Sequence, residues 1–445
     1  MGFYKKFFSL YIIFFLQNVV TLGVNLLDNI MIGGYSEAAL SGVAAVNQLQ
    51  FVYQQLLTAL GEGVVMFGSQ YWGNGQREPI KKIAAAGMRA ALLLAVLLFA
   101  AASLFPRQLM GFFTNSTLII EEGVAYLNII RFSYLFFAIT MLILAALRSV
   151  EVVKIGFILS VLAFLINAVL NYALIYGHFG APELGAAGAA IATLAARIME
   201  CLIAAWYALK KVPAISLKIV DYMKRDKVLS RDYLKAVTPM ALVSGLWGVS
   251  TALQTVILGH MSAAALAANS AASVLFLLVK GGAVSGASAG AILIGKAIGV
   301  GEMETVRQYA KRLQRLFLLI GIVGGIILFF VRIPVLSLYN LSAETKAMAN
   351  QFLIILSVVY VGMGYQMSTS EGIIRGGGSA LFVVKMNLIS IWGIVLPLSW
   401  FMAFVLKTPP AVVVCCLNAD QIFKCVPVFL KANYGSWARK LIRER

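Results

Sequence analysis

The chain has 445 residues, of which 61% are hydrophobic and only 12% are charged. Because about a quarter of the residues in an ordinary soluble domain are charged, this composition excludes a water-soluble globular protein and indicates a polytopic membrane protein. The formal net charge of +18 does not indicate a nucleic-acid partner, because the basic residues cluster in a few loops between apolar runs, as the positive-inside rule predicts.

Hydropathy along the chain predicts twelve membrane-spanning helices, since each span needs about 20 apolar residues. The predicted segments are 7–33, 43–70, 84–104, 123–147, 153–177, 185–209, 234–259, 266–295, 315–338, 348–373, 382–406 and 409–430. The predicted fold class is therefore an all-α polytopic membrane protein with twelve transmembrane helices.

Loops rich in lysine and arginine alternate along the chain with loops that are poor in both. Lys5 and Lys6 precede the first segment, and the loops after every second segment are basic, whereas the loop between the first two segments contains no Lys or Arg. This alternation predicts an integral multi-pass protein of the plasma (inner) membrane with both termini in the cytoplasm. The basic tail that follows the last segment either lies on anionic lipid or is a frayed, solvated end.

An internal repeat relates the two halves of the chain. Gly73 aligns with Gly299, and the same offset of 226 residues (299 − 73) aligns Gly33 with Gly259, Ser36 with Ser262, Gly75 with Gly301, Glu78 with Glu304 and Arg89 with Arg315. Six helices per copy is an even number, so the copies share one orientation and form a parallel repeat, which is typical of transporters that work by alternating access. The predicted domains are an N-terminal lobe (1–209), a cytoplasmic inter-lobe loop (210–233), a C-terminal lobe (234–431) and a basic cytoplasmic tail (432–445).

Asp28 lies inside the first apolar segment with no basic residue within one or two helical turns. A carboxylate in a membrane segment costs about 2.5–3.5 kcal/mol on insertion scales, and such a residue usually faces a bundle interior or a wet cavity and is often functional. The alternative is a carboxylate hydrated near the end of the helix. The repeat aligns Asp28 with Gln254, so the carboxylate is present in one copy only.

Further polar residues inside apolar segments are candidates for a substrate cavity: Glu62, Gln254, Lys280 and Glu371. The repeat relates Glu62 to Ser288 and Lys280 to Gln54, so these positions differ between the copies. Glu62 can instead have a local partner, and Lys280 can pair with Glu371, because a buried ammonium requires an anion or loses its charge. Asp420 and Lys424 are four residues apart and are expected to neutralise one another.

Short motifs in a fixed order resemble those of multidrug and toxic compound extrusion (MATE) transporters, within the multidrug/oligosaccharidyl-lipid/polysaccharide flippase superfamily. They are Asp28-Asn-Ile-Met-Ile-Gly-Gly34, Ser69-Gln-Tyr-Trp-Gly73, Leu147-Arg148, Asn167-Ala-Val-Leu-Asn171, Gly185-Ala-Ala-Gly-Ala-Ala-Ile-Ala-Thr193 and Ile374-Arg-Gly-Gly-Gly378. The resemblance extends over nearly the whole chain.

The resemblance implies a V-shaped pair of six-helix lobes and the export of drugs or organic, mostly cationic, metabolites in exchange for H⁺ or Na⁺. It implies that Asp28 binds the coupling cation and that Asn167 and Thr193 are its polar partners, while Asn171 falls where some members have an acid and others an amide. The acidic residue that some members carry in the seventh helix is absent from residues 246–254.

Asn167 and Asn171 are four residues apart and therefore share one face of a helix. Their side-chain carbonyls, with the Asp28 carboxylate and the Thr193 hydroxyl, could supply four oxygens to Na⁺ or to a proton site. The alternative is interhelical hydrogen bonding, which is common in membrane bundles. A single carboxylate favours H⁺; Na⁺ at Asp28 is the alternative, and we predict no other metal site.

No clustered catalytic set, paired histidines or phosphate-binding loop occurs in the sequence, so we expect neither an enzyme nor a cofactor. We expect a small organic substrate and the lipid bilayer as partners, and a monomer. The alternative function is a lipid-linked or polysaccharide flippase of the same superfamily, whose anionic cargo would suit Lys280 together with Arg148 or Arg375. A major-facilitator transporter is disfavoured by the loop at residues 73–82, and a channel or receptor does not require duplicated lobes.

Overall fold

The computed structural model describes residues 2–113, 116–212, 215, 226–337 and 342–442. Within these ranges the regular structure is entirely helical and contains no β-strand. The predicted all-α fold is therefore confirmed. Half of the predicted inter-lobe loop (213, 214 and 216–225) and the last three residues of the tail lie outside the described residues.

Eight helices form the first half of the described chain. They are α1 (Phe3–Tyr35), α2 (Glu37–Gly73), α3 (Glu78–Leu104), α4 (Pro106–Gly111), α5 (Thr117–Ile130), α6 (Ser133–Ser149), α7 (Lys154–Tyr176) and α8 (Gly185–Lys211). Prolines stand in the first turns of α3 and α4, where the missing N–H has no intrahelical partner to lose. Gly177 ends α7 with φ of +72°, a left-handed conformation that glycine adopts without steric cost.

Six long helices form the second half of the described chain. They are α9 (Lys227–Met261), α10 (Ala263–Val300), α11 (Met303–Ser337), α12 (Ala343–Arg375), α13 (Ala380–Val405) and α14 (Pro410–Tyr434). Asp226 caps α9, because its Oδ1 accepts hydrogen bonds from the N–H groups of Val228 and Leu229, both at 3.1 Å. The last two turns of α12, Thr369–Arg375, are π-helical.

Ten helices of the described residues are long and apolar enough to cross a membrane, and the α5–α6 pair, bent by 54°, raises the number to eleven. α2 is a further helix of 37 residues that carries glutamines such as Gln48, Gln50 and Gln54. Each of the twelve predicted segments falls on one of these helices or on the bent pair. The chain is therefore an integral, multi-pass membrane protein.

The chain divides into two compact units by its internal contacts. The N unit contains Leu16–Gly68 and Gly75–Ala241, and the C unit contains Met1–Phe15, Ser69–Asn74 and Leu242–Arg445. The lobe boundaries that the repeat predicts stay a prediction.

Buried tyrosines connect the helices of the N unit. The Tyr53 hydroxyl on α2 donates to the carbonyl oxygen of Tyr134 on α6 at 2.8 Å, and the Tyr233 hydroxyl on α9 donates to the carbonyl oxygen of Leu60 on α2 at 2.7 Å. Both phenols are buried, and a buried hydroxyl that has found an acceptor avoids the desolvation penalty of an unpaired one. These two bonds hold α2 against both α6 and α9.

In the C unit, glycines allow the end of α2 to contact α10 directly. A Cβ on Gly73 would overlap the carbonyl oxygen of Lys296, and a Cβ on Gly299 would overlap the carbonyl oxygen of Gln70. The repeat offset of 226 residues relates Gln70 to Lys296 as well as Gly73 to Gly299. The contact is therefore reciprocal, which is the local geometry expected where two copies of one motif meet.

The tail is anchored to the C unit by backbone hydrogen bonds. The Gln70 side chain donates to the carbonyl oxygen of Arg439 at 3.0 Å and accepts from the N–H of Leu441 at 2.7 Å, while the N–H of Arg439 donates to the carbonyl oxygen of Gly377 at 2.8 Å. Trp437 is buried, and its indole N–H is bonded to the carbonyl oxygen of Ala432. The described part of the tail is thus neither frayed nor simply laid on a lipid surface.

Candidate functional site

Three helices of the N unit bring the candidate coupling residues together: α1 carries Asp28, α7 carries Asn167 and Asn171, and α8 carries Thr193. The two asparagines share one face of α7 and are 2% and 0% exposed, respectively. Because this face of α7 is buried, both amides must find partners within the unit.

Close packing of α7 against α8 and α1 sets the spacing of these side chains. A Cβ on Gly188 in α8 would lie only 2.5 Å from the carbonyl oxygen of Leu174 in α7, and one on Gly23 in α1 would lie 3.7 Å from the ring of Phe164. The missing side chains let the three helices approach closely, as small residues do in membrane bundles.

One hydrogen-bonded chain connects the four residues. The Asn171 amide donates to Asp28 Oδ1 at 2.5 Å and to Asn167 Oδ1 at 2.9 Å, and the Asn167 amide donates to Thr193 Oγ1 at 3.1 Å. Asn171 uses both N–H groups in this way, whereas its Oδ1 is buried and has no hydrogen-bond partner among the described residues. The site thus contains a carboxylate with a fixed donor and a buried acceptor with unused capacity.

The sequence analysis did not identify Tyr126, Arg197 and Glu200, which surround the four hydrogen-bonded residues. Tyr126 on α5 is buried and hydrogen-bonded to Thr193. Arg197 lies one turn beyond Thr193 on α8, acts electrostatically on Asp28, forms an ion pair with Glu200 at 2.8 Å and stacks over Phe137 with its guanidinium carbon 4.5 Å from the ring centroid. The signal available in the sequence was a charged pair inside an apolar span.

The net charge of the site follows from these residues. Arg197 and Glu200 cancel one another, so an ionised Asp28 leaves one negative charge that a single proton or alkali cation would balance. Within the described residues no group of three His, Cys, Asp or Glu side chains is placed to hold a metal ion. The donor set is one of hard oxygens, which suits H⁺ or Na⁺ rather than a transition metal.

The structure gives Glu62 a local partner. Glu62 is buried, and its Oε1 lies 3.2 Å from Nη1 of Arg148 on α6. A buried carboxylate that is paired in this way is held by its arginine, so Glu62 does not add a second unpaired charge to the chain of residues at Asp28.

In the C unit Lys280 and Glu371 have different partners. Glu371 forms an ion pair with Arg375, one helical turn away in the π-helical end of α12. The Lys280 ammonium lies 4.6 Å from the ring centroid of Trp247 on α9, within the range of a cation–π interaction. Gln254, the repeat counterpart of Asp28, is only partly buried on α9.

The predicted pair of Asp420 and Lys424 is confirmed. Lys424 Nζ lies 2.7 Å from Asp420 Oδ2, and the two side chains are only 3% and 6% exposed, respectively. Lys424 also donates to Asn387 Oδ1 at 3.0 Å, and Gln421 donates to Asp420 Oδ2 at 2.9 Å. This buried pair therefore has the additional hydrogen bonds that a desolvated ion pair needs.

Relatives and solved structures match the chain over almost its full length. A probable multidrug resistance protein NorM of Thermotoga maritima is 26% identical over 436 residues, which are 96% of this chain and 92% of the relative. An uncharacterized transporter, YisQ, of Bacillus subtilis is 24% identical over 423 residues, or 93% of this chain and 90% of the relative.

Two solved structures share the fold at low sequence identity. The outward-facing conformation of a multidrug resistance MATE family transporter superposes with a TM-score of 0.87 at 18% identity, covering 96% of this chain and 94% of the other. A Pyrococcus furiosus transporter of the MOP superfamily, described as having a binding pocket of reverse polarity, gives a TM-score of 0.85 at 18% identity, with 96% and 94% covered.

The MatE family model matches residues 14–173 and 239–401, which together are more than half of the chain. The first stretch contains Asp28, Asn167 and Asn171, whereas Thr193 on α8 lies between the two stretches. The expectation drawn from the sequence motifs is confirmed: the chain belongs to the MatE family and is a membrane transporter, not an enzyme.

Proposed function

We propose that this protein exports drugs or organic, mostly cationic, metabolites by antiport against H⁺, with alternating access between two states. The relatives named as multidrug resistance proteins support the export of such compounds. The observation that carries the coupling proposal is the hydrogen-bonded chain in which Asn171 connects Asp28 to Asn167 and, through it, to Thr193.

Each of the four hydrogen-bonded residues has a role in this proposal. Asp28 takes up and releases the coupling proton. Asn171 donates to the ionised carboxylate, which stabilises the charged form. Thr193 and Asn167 hold Asn171 in place, since rotating its amide would break two hydrogen bonds. When Asp28 is neutralised, the bond from Asn171 weakens, and α1 is free to repack against α7.

The proton is favoured over Na⁺ by the direction of these bonds. Na⁺ binds oxygen ligands, but Asn171 presents its amide N–H rather than its carbonyl to Asp28. To bind Na⁺ through an Asp28 oxygen and its own carbonyl oxygen together, Asn171 would have to rotate its amide and give up its hydrogen bonds to both Asp28 and Asn167. A proton requires no such change, because it needs only one carboxylate oxygen.

The energetics suit a single coupling proton. A pH difference of one unit supplies about 1.4 kcal/mol per proton, which sustains roughly a tenfold substrate gradient. Exchange of one proton for one monovalent organic cation moves no net charge, so the membrane potential then contributes nothing. A substrate without net charge would in addition gain about 2.3 kcal/mol per 100 mV.

The test is efflux of ethidium, a monovalent organic cation, from proteoliposomes with either a pH gradient or a Na⁺ gradient imposed. We expect the pH gradient alone to drive transport and Asp28→Asn to abolish it. Glu121→Gln is the matched control, since it removes an exposed carboxylate at the start of α5 and should leave efflux unchanged. Undiminished gradient-driven efflux by Asp28→Asn would contradict the proposal. Drive by Na⁺ alone would replace the proton with Na⁺.

We also propose that the protein acts as a monomer in the inner membrane with both termini in the cytoplasm. The distribution of lysine and arginine among the loops supports the orientation of the termini. A reporter that fluoresces only in the cytoplasm, fused after Arg445, should be bright. The roles of Glu62, Gln254, Lys280 and Glu371 in substrate binding stay predictions, and for Lys280 the structure allows a more specific one.

A further inference from the structure

A cation lies near the middle of a membrane-spanning helix in the C unit. Lys280 is about halfway along α10, which runs from Ala263 to Val300. A lysine at the centre of a membrane helix costs about 2.5–3.5 kcal/mol on insertion scales. A charged residue with such a high insertion cost normally has an anionic partner. The groups around the Lys280 ammonium therefore indicate its role.

The carboxylates of the C unit that could neutralise Lys280 are already paired. Asp420, whose charge acts on Lys280, holds Lys424 at 2.7 Å and also accepts from Gln421. Glu371 pairs with Arg375. In the described ranges, no oxygen acceptor lies within hydrogen-bonding distance of the Lys280 ammonium, and its direct contact is the face of Trp247.

This arrangement leaves one uncompensated positive charge. Lys280 and Lys424 together carry two charges and Asp420 cancels one. Asp420 is bonded directly to the buried Lys424, so the remaining charge is that of Lys280, whose side chain is partly exposed. The Trp247 ring contacts the ammonium through a cation–π interaction, which neutralises none of its charge.

We propose that Lys280 and Trp247 form a subsite for the carboxylate group of a substrate with an aromatic or otherwise apolar body. This inference rests on the proposed function, because it adds a substrate class to the same exporter. The ammonium binds the carboxylate with charge-assisted hydrogen bonds, and the indole offers an apolar surface to the rest of the molecule. A single ammonium without an arginine fork suits a monocarboxylate better than a phosphate.

The repeat supports a role in recognition rather than in folding. The counterpart of Lys280 is Gln54, which has no charge and lies exposed on α2. The same helix position is therefore compatible with a neutral side chain, and a lysine is not needed to build the fold. The subsite would let the exporter carry zwitterions as well as cations.

The experiment compares two dyes that differ only at one group: tetramethylrhodamine, which has a free carboxylate, and its methyl ester, which does not. Binding of each is measured by fluorescence anisotropy with the full-length protein in lipid nanodiscs. We expect Lys280→Gln to weaken binding of the acid by about tenfold or more, the loss expected for a charge-assisted hydrogen bond, with little change for the ester. Lys280→Arg should retain the preference for the acid.

Lys385→Gln is the matched control, since it removes an exposed lysine from α13 and should change neither dye. The proposal is overturned if the wild type binds acid and ester alike, if Lys280→Gln leaves the ratio of the two affinities unchanged, or if it lowers both equally. Because binding needs no gradient, these outcomes are separate from the coupling proposal. An Asp28→Asn variant that transports normally refutes proton coupling at Asp28 and leaves the dye ratio intact.

Discussion

The bond between Asn171 and Asp28 can be measured as an interaction energy. Asn171→Leu keeps the approximate size of the side chain but removes the hydrogen bonds to Asp28 and to Asn167. A hydrogen bond to a charged group contributes about 1.5–3 kcal/mol and one between neutral groups about 0.5–1.5 kcal/mol. Asn171→Leu should therefore lower the free energy of unfolding by about 2–4.5 kcal/mol.

In an Asp28→Asn background the same substitution should cost less, because position 28 is then neutral and two neutral bonds are lost, about 1–3 kcal/mol in all. The difference between the two costs is the coupling energy of Asp28 and Asn171, about 1–1.5 kcal/mol. The assay is reversible unfolding in mixed micelles at mildly alkaline pH, with the four proteins of the cycle measured side by side.

Ser160 provides the control cycle, because it lies on the same helix, α7, and its hydroxyl donates only to the carbonyl oxygen of Gly156. Asp28→Asn and Ser160→Ala should be additive within about 0.5 kcal/mol. A coupling energy for Asp28 and Asn171 that is no larger than this control value would refute the direct bond and with it the proposed role of Asn171.

Three further predictions concern stability. Asp420→Ala leaves the buried ammonium of Lys424 unpaired and should lower the free energy of unfolding by about 3–5 kcal/mol, and adding Lys424→Met should restore most of it, as thermal unfolding in detergent will show. Gly73→Ala forces α2 away from α10 and should cost about 1–3 kcal/mol in the same assay, whereas Gly111→Ala, with no atom within 4 Å of the added carbon, should cost nothing. The first-turn N–H groups of α9 hold the pKa of Asp226 below its ordinary value of 3.8. The ionised Asp226 therefore stabilises α9 fully at neutral pH, and this stabilisation is lost as the pH falls below 3.8 through the lowered pKa. Amide exchange in the first turn should be faster in Asp226→Ala than in the wild type at neutral pH and should differ little in strong acid.

The sequence predicted the helices and the centre of the candidate site for local reasons. Runs of about 20 apolar residues define spans whatever their partners. Asn167 and Asn171 share a helix face because of their spacing alone. Asp28 is conspicuous because a carboxylate is costly in an apolar segment. These inferences need no knowledge of how helices pack.

The residues that the sequence did not identify depend on packing. Tyr126 reaches Thr193 only because α5 lies against α8, and nothing in the local sequence encodes that contact. Glu371 and Asp420 each have a cation one turn away on the same helix, Arg375 and Lys424 respectively. An ion pair at this spacing orders few additional side-chain torsions and so costs little conformational entropy. Both carboxylates therefore pair locally, and neither pairs with Lys280.

The repeat allows the proposed coupling site and the proposed recognition site to occupy different units. Two copies of one fold provide equivalent positions, and a charge placed in one copy need not appear in the other. Asp28 has Gln254 as its counterpart, and Lys280 has Gln54. A carboxylate that changes protonation in every cycle must not be permanently neutralised by a lysine, whereas a lysine that binds substrate must keep its charge. Placing them in different units meets both requirements, so substitutions at position 28 should alter coupling and those at position 280 should alter substrate preference, each independently of the other.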